Sequence, residues 1–107
     1  MTRITTHVLD TARGRPATGV GVALEARDGD GWRSLAATVT DDDGRAPALA
    51  AVGVAAGVHR LVFATGDFLG DGAFYPEVTV VVEVRGEDHL HVPLLLAPYG
   101  YSTYRGS

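Results

Sequence analysis

The sequence predicts an all-β fold: an antiparallel sandwich of seven or eight short strands with at most one short helix. Three observations point there. Apolar residues recur at every second position in several separate stretches, the spacing that sends alternate side chains to opposite faces of a strand. Turn chemistry divides those stretches at short intervals, including two Asp-Gly steps inside RDGDGW, Arg27 to Trp32. The 46% hydrophobic content is carried mainly by Ala and Val beside 14 glycines, with only three Phe, four Tyr and one Trp. That composition suits strands and tight turns better than helices. At 107 residues the chain has room for one core and not two, so a single domain over 1–107 is expected.

In chain order, ITTHVLD sets Ile4, Thr6 and Val8 against Thr5, His7 and Leu9, and VGVALEA lines up Val20, Val22 and Leu24 on one face. Both read as strands. The Asp-Gly pairs then turn the chain into a third strand near Trp32 to Thr40, and DDDGR, Asp41 to Arg45, is a further turn. The alanine-rich stretch that follows favours helix by composition, but Gly53 and Gly57 interrupt it. A short strand or loop is the expectation, followed by a strand from about Val58 to Ala64. TGDFLGDGAFYP has room for one helical turn between about Thr65 and Gly72. EVTVVVEVR aligns Val78, Val80, Val82 and Val84, and HLHVPLLL forms a last strand with Pro93 inside it. Proline cannot donate to a ladder, so that position belongs at an edge or a bulge. The end, PYGYSTYRGS, carries three tyrosines and an arginine, bulky rings whose burial a small domain needs, so a docked tail is expected.

Composition also excludes functions. With no cysteine there is neither a disulfide framework nor a thiolate metal site. A net charge of -4 without a basic stripe argues against nucleic acid as a partner. No stretch has the length of a membrane span, and MTRITTHVLD lacks the apolar core of a secretory signal, so no membrane partner and a cytoplasmic location are expected.

The candidate chemistry centres on histidine. His89 and His91 are two apart and share a strand face, as a metal pair would require, but zinc wants a third protein ligand and only His7, His59 or a carboxylate is available. DDDG fails as a calcium loop because Gly44 stands fourth from Asp41, not sixth. No G-x-S-x-G elbow exists for a serine nucleophile. His7, flanked by strand residues, reads on its own as a satisfied core histidine.

Four separated stretches, THVLDTARGRPATGV, TDDDGR, FYPEVTV and HVPLLLAPYGYSTYRGS, together resemble the transthyretin-related 5-hydroxyisourate hydrolases over nearly the whole chain. The most specific element is the closing tetrapeptide Tyr104, Arg105, Gly106, Ser107. The resemblance implies a transthyretin-like sandwich and the hydrolase branch of the family instead of its hormone carriers, which lack that ending. It implies a catalytic set of His7, Arg45, His91 and Ser107, with Tyr104, Arg105 and Gly106 binding substrate. It further implies a homotetramer with no cofactor and no metal, opening a purine-derived ring, 5-hydroxyisourate, to 2-oxo-4-hydroxy-4-carboxy-5-ureidoimidazoline in urate degradation. His89 would lie outside that set, exposed or behind it. Departures from the family pattern fall at His59, Leu90 and Ala97 and remove none of these groups.

The residue types suit that reaction on chemical grounds. Hydrolysis of a cyclic amide needs a base for water, donors for the developing oxyanion and a fixed substrate. A neutral histidine near pH 7 can contribute ~100-fold or more. Arginine cannot serve as the base, but its fork of donors fits a ring edge rich in oxygens. Two other classes stay open on the residues alone: a small-molecule carrier on the same fold, and a structural sandwich with no pocket chemistry.

Overall fold

Ile4, Thr6, Val8 and Asp10 are buried, whereas Thr5, His7 and Leu9 between them are only half-buried, so the first stretch is a strand with one face in the core. The computed structural model describes all residues, Met1–Ser107, and resolves this stretch into β1 (Arg3–Thr5) and β2 (Val8–Asp10). There follow β3 (Arg15–Pro16), β4 (Gly21–Asp28), β5 (Gly31–Val39), α1 (Pro47–Ala50), β6 (Gly57–Phe63) and α2 (Thr65–Leu69) with a 3₁₀ turn at Gly70–Gly72. The chain closes with β7 (Val78–Val84), β8 (His89–His91), β9 (Leu94–Ala97) and β10 (Gly100–Thr103).

Two four-stranded sheets face each other. One has the order β5-β4-β6-β7 and is antiparallel throughout; the other has the order β10-β9-β2-β3, and a two-stranded extension β1-β8 continues it. The core between them includes Ile4, Val8, Leu24, Leu61, Phe63, Leu94 and Leu96, all essentially inaccessible. Each such side chain contributes about 1.5–3 kcal/mol by leaving water. The predicted sandwich is therefore present, with Val20, Val22, Leu24, Val78 and Val84 buried as the period-two pattern required.

Three details differ from the expectation. Ten strand segments replace seven or eight: the first and last long strands are each broken once, and short strands form at Arg15–Pro16 and Gly100–Thr103, where none was expected. The pairing is not wholly antiparallel: β1 runs parallel to β8 and β2 parallel to β9. A second short helix, α1, stands where a strand or loop was expected. Pro47 opens it, with φ already helical and no N–H to leave unpaired, so one turn forms before Gly53. Gly53 then fits beneath Met1, where a Cβ would approach the Met1 Cβ to 2.8 Å, and Val54 exchanges both backbone hydrogen bonds with Thr2 at 2.9 Å. The helix anticipated between Thr65 and Gly72 is there.

Candidate active site

The two strand breaks lie side by side and build the site. Between β1 and β2 the chain kinks at Thr6 and His7; between β8 and β9 it kinks at Val92 and Pro93. The parallel ladder still runs across both breaks, because Val92 N donates to Thr5 O at 2.8 Å and Leu94 N to His7 O at 3.0 Å. Pro93, lacking an N–H, interrupts only the other side of its strand, so it stands at a break as its chemistry demands. That other side is where β10 pairs, and its ladder ends with Thr103 opposite Leu94. The Thr103 hydroxyl donates to Pro93 O at 2.7 Å, and the chain then swings away through Tyr104 and Arg105. It returns at Gly106, whose N–H donates to His91 O at 2.8 Å. A Cβ on Gly106 would come within 2.5 Å of His91 Cδ2, so only glycine lets the tail lie against this imidazole.

Arg45 arrives from the DDDG turn. The Asp41 carboxylate accepts from Asp43 N at 2.9 Å and Arg45 N at 3.0 Å, while Asp41 N donates to Arg45 O at 2.8 Å. Such Asx turns are local, side chain to backbone, and need no metal to close them. Gly44 adopts φ +78° directly over β2, with Val8 N donating to Gly44 O at 2.8 Å, and any Cβ there would collide with Val8 O. The turn is thereby pinned so that Arg45 bridges His7 in backbone register. Arg45, Thr5, Thr6, Ala46, Pro47 and Ala50 line a hollow of about 240 Å³ beside this junction, with α1 as one wall.

His91 is half-buried, and burial pushes its imidazole below the ordinary histidine range; the nearby positive charge of Arg45 adds to this, followed by His89 and His7. These influences put Arg45, His89 and His7 within electrostatic reach of His91, and they favour a neutral ring there. The Thr5 hydroxyl lies 2.8 Å from His91 Nδ1 and 2.6 Å from His89 Nε2.

The structure therefore brings His7, Arg45, His91 and Gly106 together, with His89 exposed beside them as expected. Ser107 is exposed one residue past the Gly106 bridge. His7 is not a core histidine: it lies on the open face of its strand, half-buried. Tyr104 and Arg105 take another direction. Within one chain they line a groove of about 390 Å³ with Val80, Val82, Leu90 and Val92, on the strand face opposite His89 and His91. There Arg105 helps hold the Glu87 carboxyl below its usual range, behind the larger effect of the Glu87 and Arg85 backbone amides. The tail tyrosines are also less covered than a docked tail implies: Tyr99 is 78% exposed, and Tyr101, itself exposed, packs on Tyr75 edge to face at 5.2 Å between ring centroids.

Thr5 is the residue that sequence reasoning passed over. Its signal was present, since Arg3, Thr5 and His7 alternate on one strand face, but only the parallel register Thr5 to His91 puts its hydroxyl between two imidazoles.

Comparison with known proteins agrees with the geometry. Residues 4–106 match the model of the HIUase/Transthyretin family. A 5-hydroxyisourate hydrolase of Caulobacter vibrioides is 48% identical, with all of both chains covered. The solved 5-hydroxyisourate hydrolase of Klebsiella pneumoniae superposes over the full length of both chains with a TM-score of 0.87 at 38% identity. Sea bream transthyretin in complex with thyroxine superposes with a TM-score of 0.89 at 29% identity, covering 97% of this chain and 94% of that one. The chain belongs to the HIUase/Transthyretin family.

Proposed function

We propose that the protein, one domain over residues 1–107, hydrolyses 5-hydroxyisourate to 2-oxo-4-hydroxy-4-carboxy-5-ureidoimidazoline in urate degradation. The observation that carries this reading is the junction of the two strand breaks, where a half-buried imidazole disposed to be neutral stands beside a guanidinium and a second imidazole. Relatives that share this chain's full length and nearly half its residues carry the name of that enzyme.

His91 accepts a proton from water as the water oxygen bonds to a ring carbonyl carbon. The guanidinium of Arg45 donates to the carbonyl oxygen as it becomes an oxyanion, and its planar fork orients the ring edge. When the ring C–N bond breaks, the proton held by His91 passes to the leaving nitrogen, so the net change is one water added and no proton gained or lost. His7 and Ser107 hold the substrate's remaining polar edge. Gly106 completes the wall by its backbone against His91, and Tyr104 and Arg105 bind substrate from a neighbouring subunit. The set calls for no cofactor and no metal.

Assembly belongs to the same reading. Both β7 and β10 are sheet edges, and Phe74, Tyr75, Val81, Tyr99, Tyr101 and Tyr104 are exposed on or near them. Edges and apolar surface of this kind are what association covers. A homotetramer lets the tail of one subunit, with Tyr104 and Arg105, meet the histidines of another, which supports a shared cleft. No helix of the chain is long and apolar enough to cross a membrane, and the reaction is assigned to the cytoplasm.

Absorbance decay of freshly generated 5-hydroxyisourate, with and without protein, tests the activity. Acceleration over the spontaneous rate is expected. Binding without acceleration would favour a carrier, the reading that has no use for Arg45 and two histidines at one junction.

A further inference from the structure

We propose that Thr5 and His89 form a positioning pair that holds the His91 ring with its proton on Nδ1, leaving Nε2 as the proton-accepting atom. The inference rests on the role assigned to His91 above and concerns two residues that act through its ring and not on the reacting atoms.

A hydroxyl has one proton to give and two lone pairs to offer. Thr5 Oγ1 faces two imidazole nitrogens, His89 Nε2 at 2.6 Å and His91 Nδ1 at 2.8 Å. It can donate to one of them only. Both distances are those of hydrogen bonds, and the proton-accepting role of His91 decides which way they run. Thr5 therefore donates to His89 Nε2 and accepts from His91 Nδ1–H. The opposite arrangement would leave the His91 proton on Nε2, where the ring could not take a proton from water.

Two further observations fit. No buried side-chain nitrogen or oxygen lacks a partner, and His91 Nε2 makes no hydrogen bond within the chain, so Nε2 is open to solvent or ligand. Gly106 lies against Cδ2, the ring atom next to Nε2, so the tail stands in the way of a flip that would exchange the two edges of the imidazole. When Nε2 takes a proton, the Nδ1–H to Thr5 to His89 chain is already aligned to stabilise the cation, each bond polarising the next. His89 is exposed at its far end and pairs in register with Arg3, while Arg45 and His7, from other elements of the junction, are near enough to disfavour the His91 cation.

The test is nitrogen NMR of the full-length protein with labelled histidine, His91 being identified by its loss in His91→Gln. In the wild type near pH 7.5, His91 should carry its proton on Nδ1 with Nε2 bare. Thr5→Val should abolish that single tautomer and lower kcat about tenfold with KM within about twofold, and Thr5→Ser should restore both. His89→Leu, which removes the acceptor, should mix the tautomers and cost a few-fold in kcat; His89→Gln, whose amide oxygen can accept, should not. A wild-type ring protonated on Nε2, or a Thr5→Val protein that keeps the Nδ1–H tautomer, would overturn the proposal. A wild-type protein with the Nδ1–H ring but no turnover of 5-hydroxyisourate would overturn the functional reading instead and leave the ring assignment standing.

Discussion

The two layers of the sandwich share one core, but only one of them also carries the candidate site. In the sheet β5-β4-β6-β7, strands of seven to nine residues pair without a break, apart from one register shift at Leu24/Glu25. Its inner face supplies Leu24, Leu61 and Phe63 to the core. Across from it, the first and last long strands are each cut in two, and both candidate histidines, His7 and His91, lie on a cut strand, with Gly106 of the tail paired back onto His91. Continuity supplies core; interruption releases backbone groups and side chains for a site. The general pattern is that function tends to occupy the positions where regular structure yields.

The largest effect should come from the interrupted layer. His91→Ala is expected to lower kcat/KM about 10³-fold while the unfolding free energy moves by no more than about 1 kcal/mol. Arg45→Ala and His7→Ala should be of the same kind, and the double substitutions should cost far less than the sum of the single losses if the groups act as one unit. Steady-state kinetics beside urea unfolding decides this. Near-normal turnover in His91→Ala would dissolve the contrast between the layers.

The unbroken layer should respond in the other sense. Phe63→Ala, at a fully buried position of β6, should cost about 3–5 kcal/mol of stability. At temperatures where the protein stays folded, its kcat/KM should be little changed. Removing Tyr104 to Ser107 tests the tail between these extremes: the β10 ladder ends at Thr103, so the fold should survive while turnover falls, because the backbone laid against His91 is gone.

A finer probe is pH. In the proposed mechanism the base is the neutral ring of His91, and burial with Arg45, His89 and His7 nearby holds that ring below the ordinary histidine value of about 6.5. The acid limb of kcat/KM should therefore lie below that value, with activity falling about tenfold per pH unit beneath it and flat just above. Arg45→Gln should move the limb upward, since it removes one of the influences that disfavour the cation. A limb at or above 6.5 in the wild type would speak against His91 as the base. The smallest expected effect is that of chelation: EDTA should leave activity unchanged, since His89 and His91 have no third protein ligand grouped with them to hold a metal.

Much of this was legible in the sequence. Period-two alternation located the strands and their buried faces, and the Asp-Gly and DDDG turns fell where their chemistry put them. His7, Arg45 and His91 were singled out by resemblance, and the geometry places them at one junction. What escaped depends on register and on chain path. Alternation cannot tell parallel from antiparallel neighbours, so the pairing of Thr5 with His91 was invisible. Proline at position 93 marked a break, but not that the tail would detour around it and send Tyr104 and Arg105 to the face opposite the histidines. The alanine-rich stretch misled because two glycines argued against a long helix and said nothing about one turn begun by Pro47.

The contact between tail and imidazole carries the account, and Gly106→Ala tests it most directly. The single methyl added there would meet the His91 ring 2.5 Å from Cδ2, forcing ring or tail to move and loosening the hold of Thr5 on Nδ1. We predict that kcat/KM for 5-hydroxyisourate falls by about 10-fold or more in protein whose circular dichroism and light-scattering mass match the wild type. A Gly106→Ala protein with wild-type turnover would contradict the claim that the broken strands and the returning tail together set the catalytic ring.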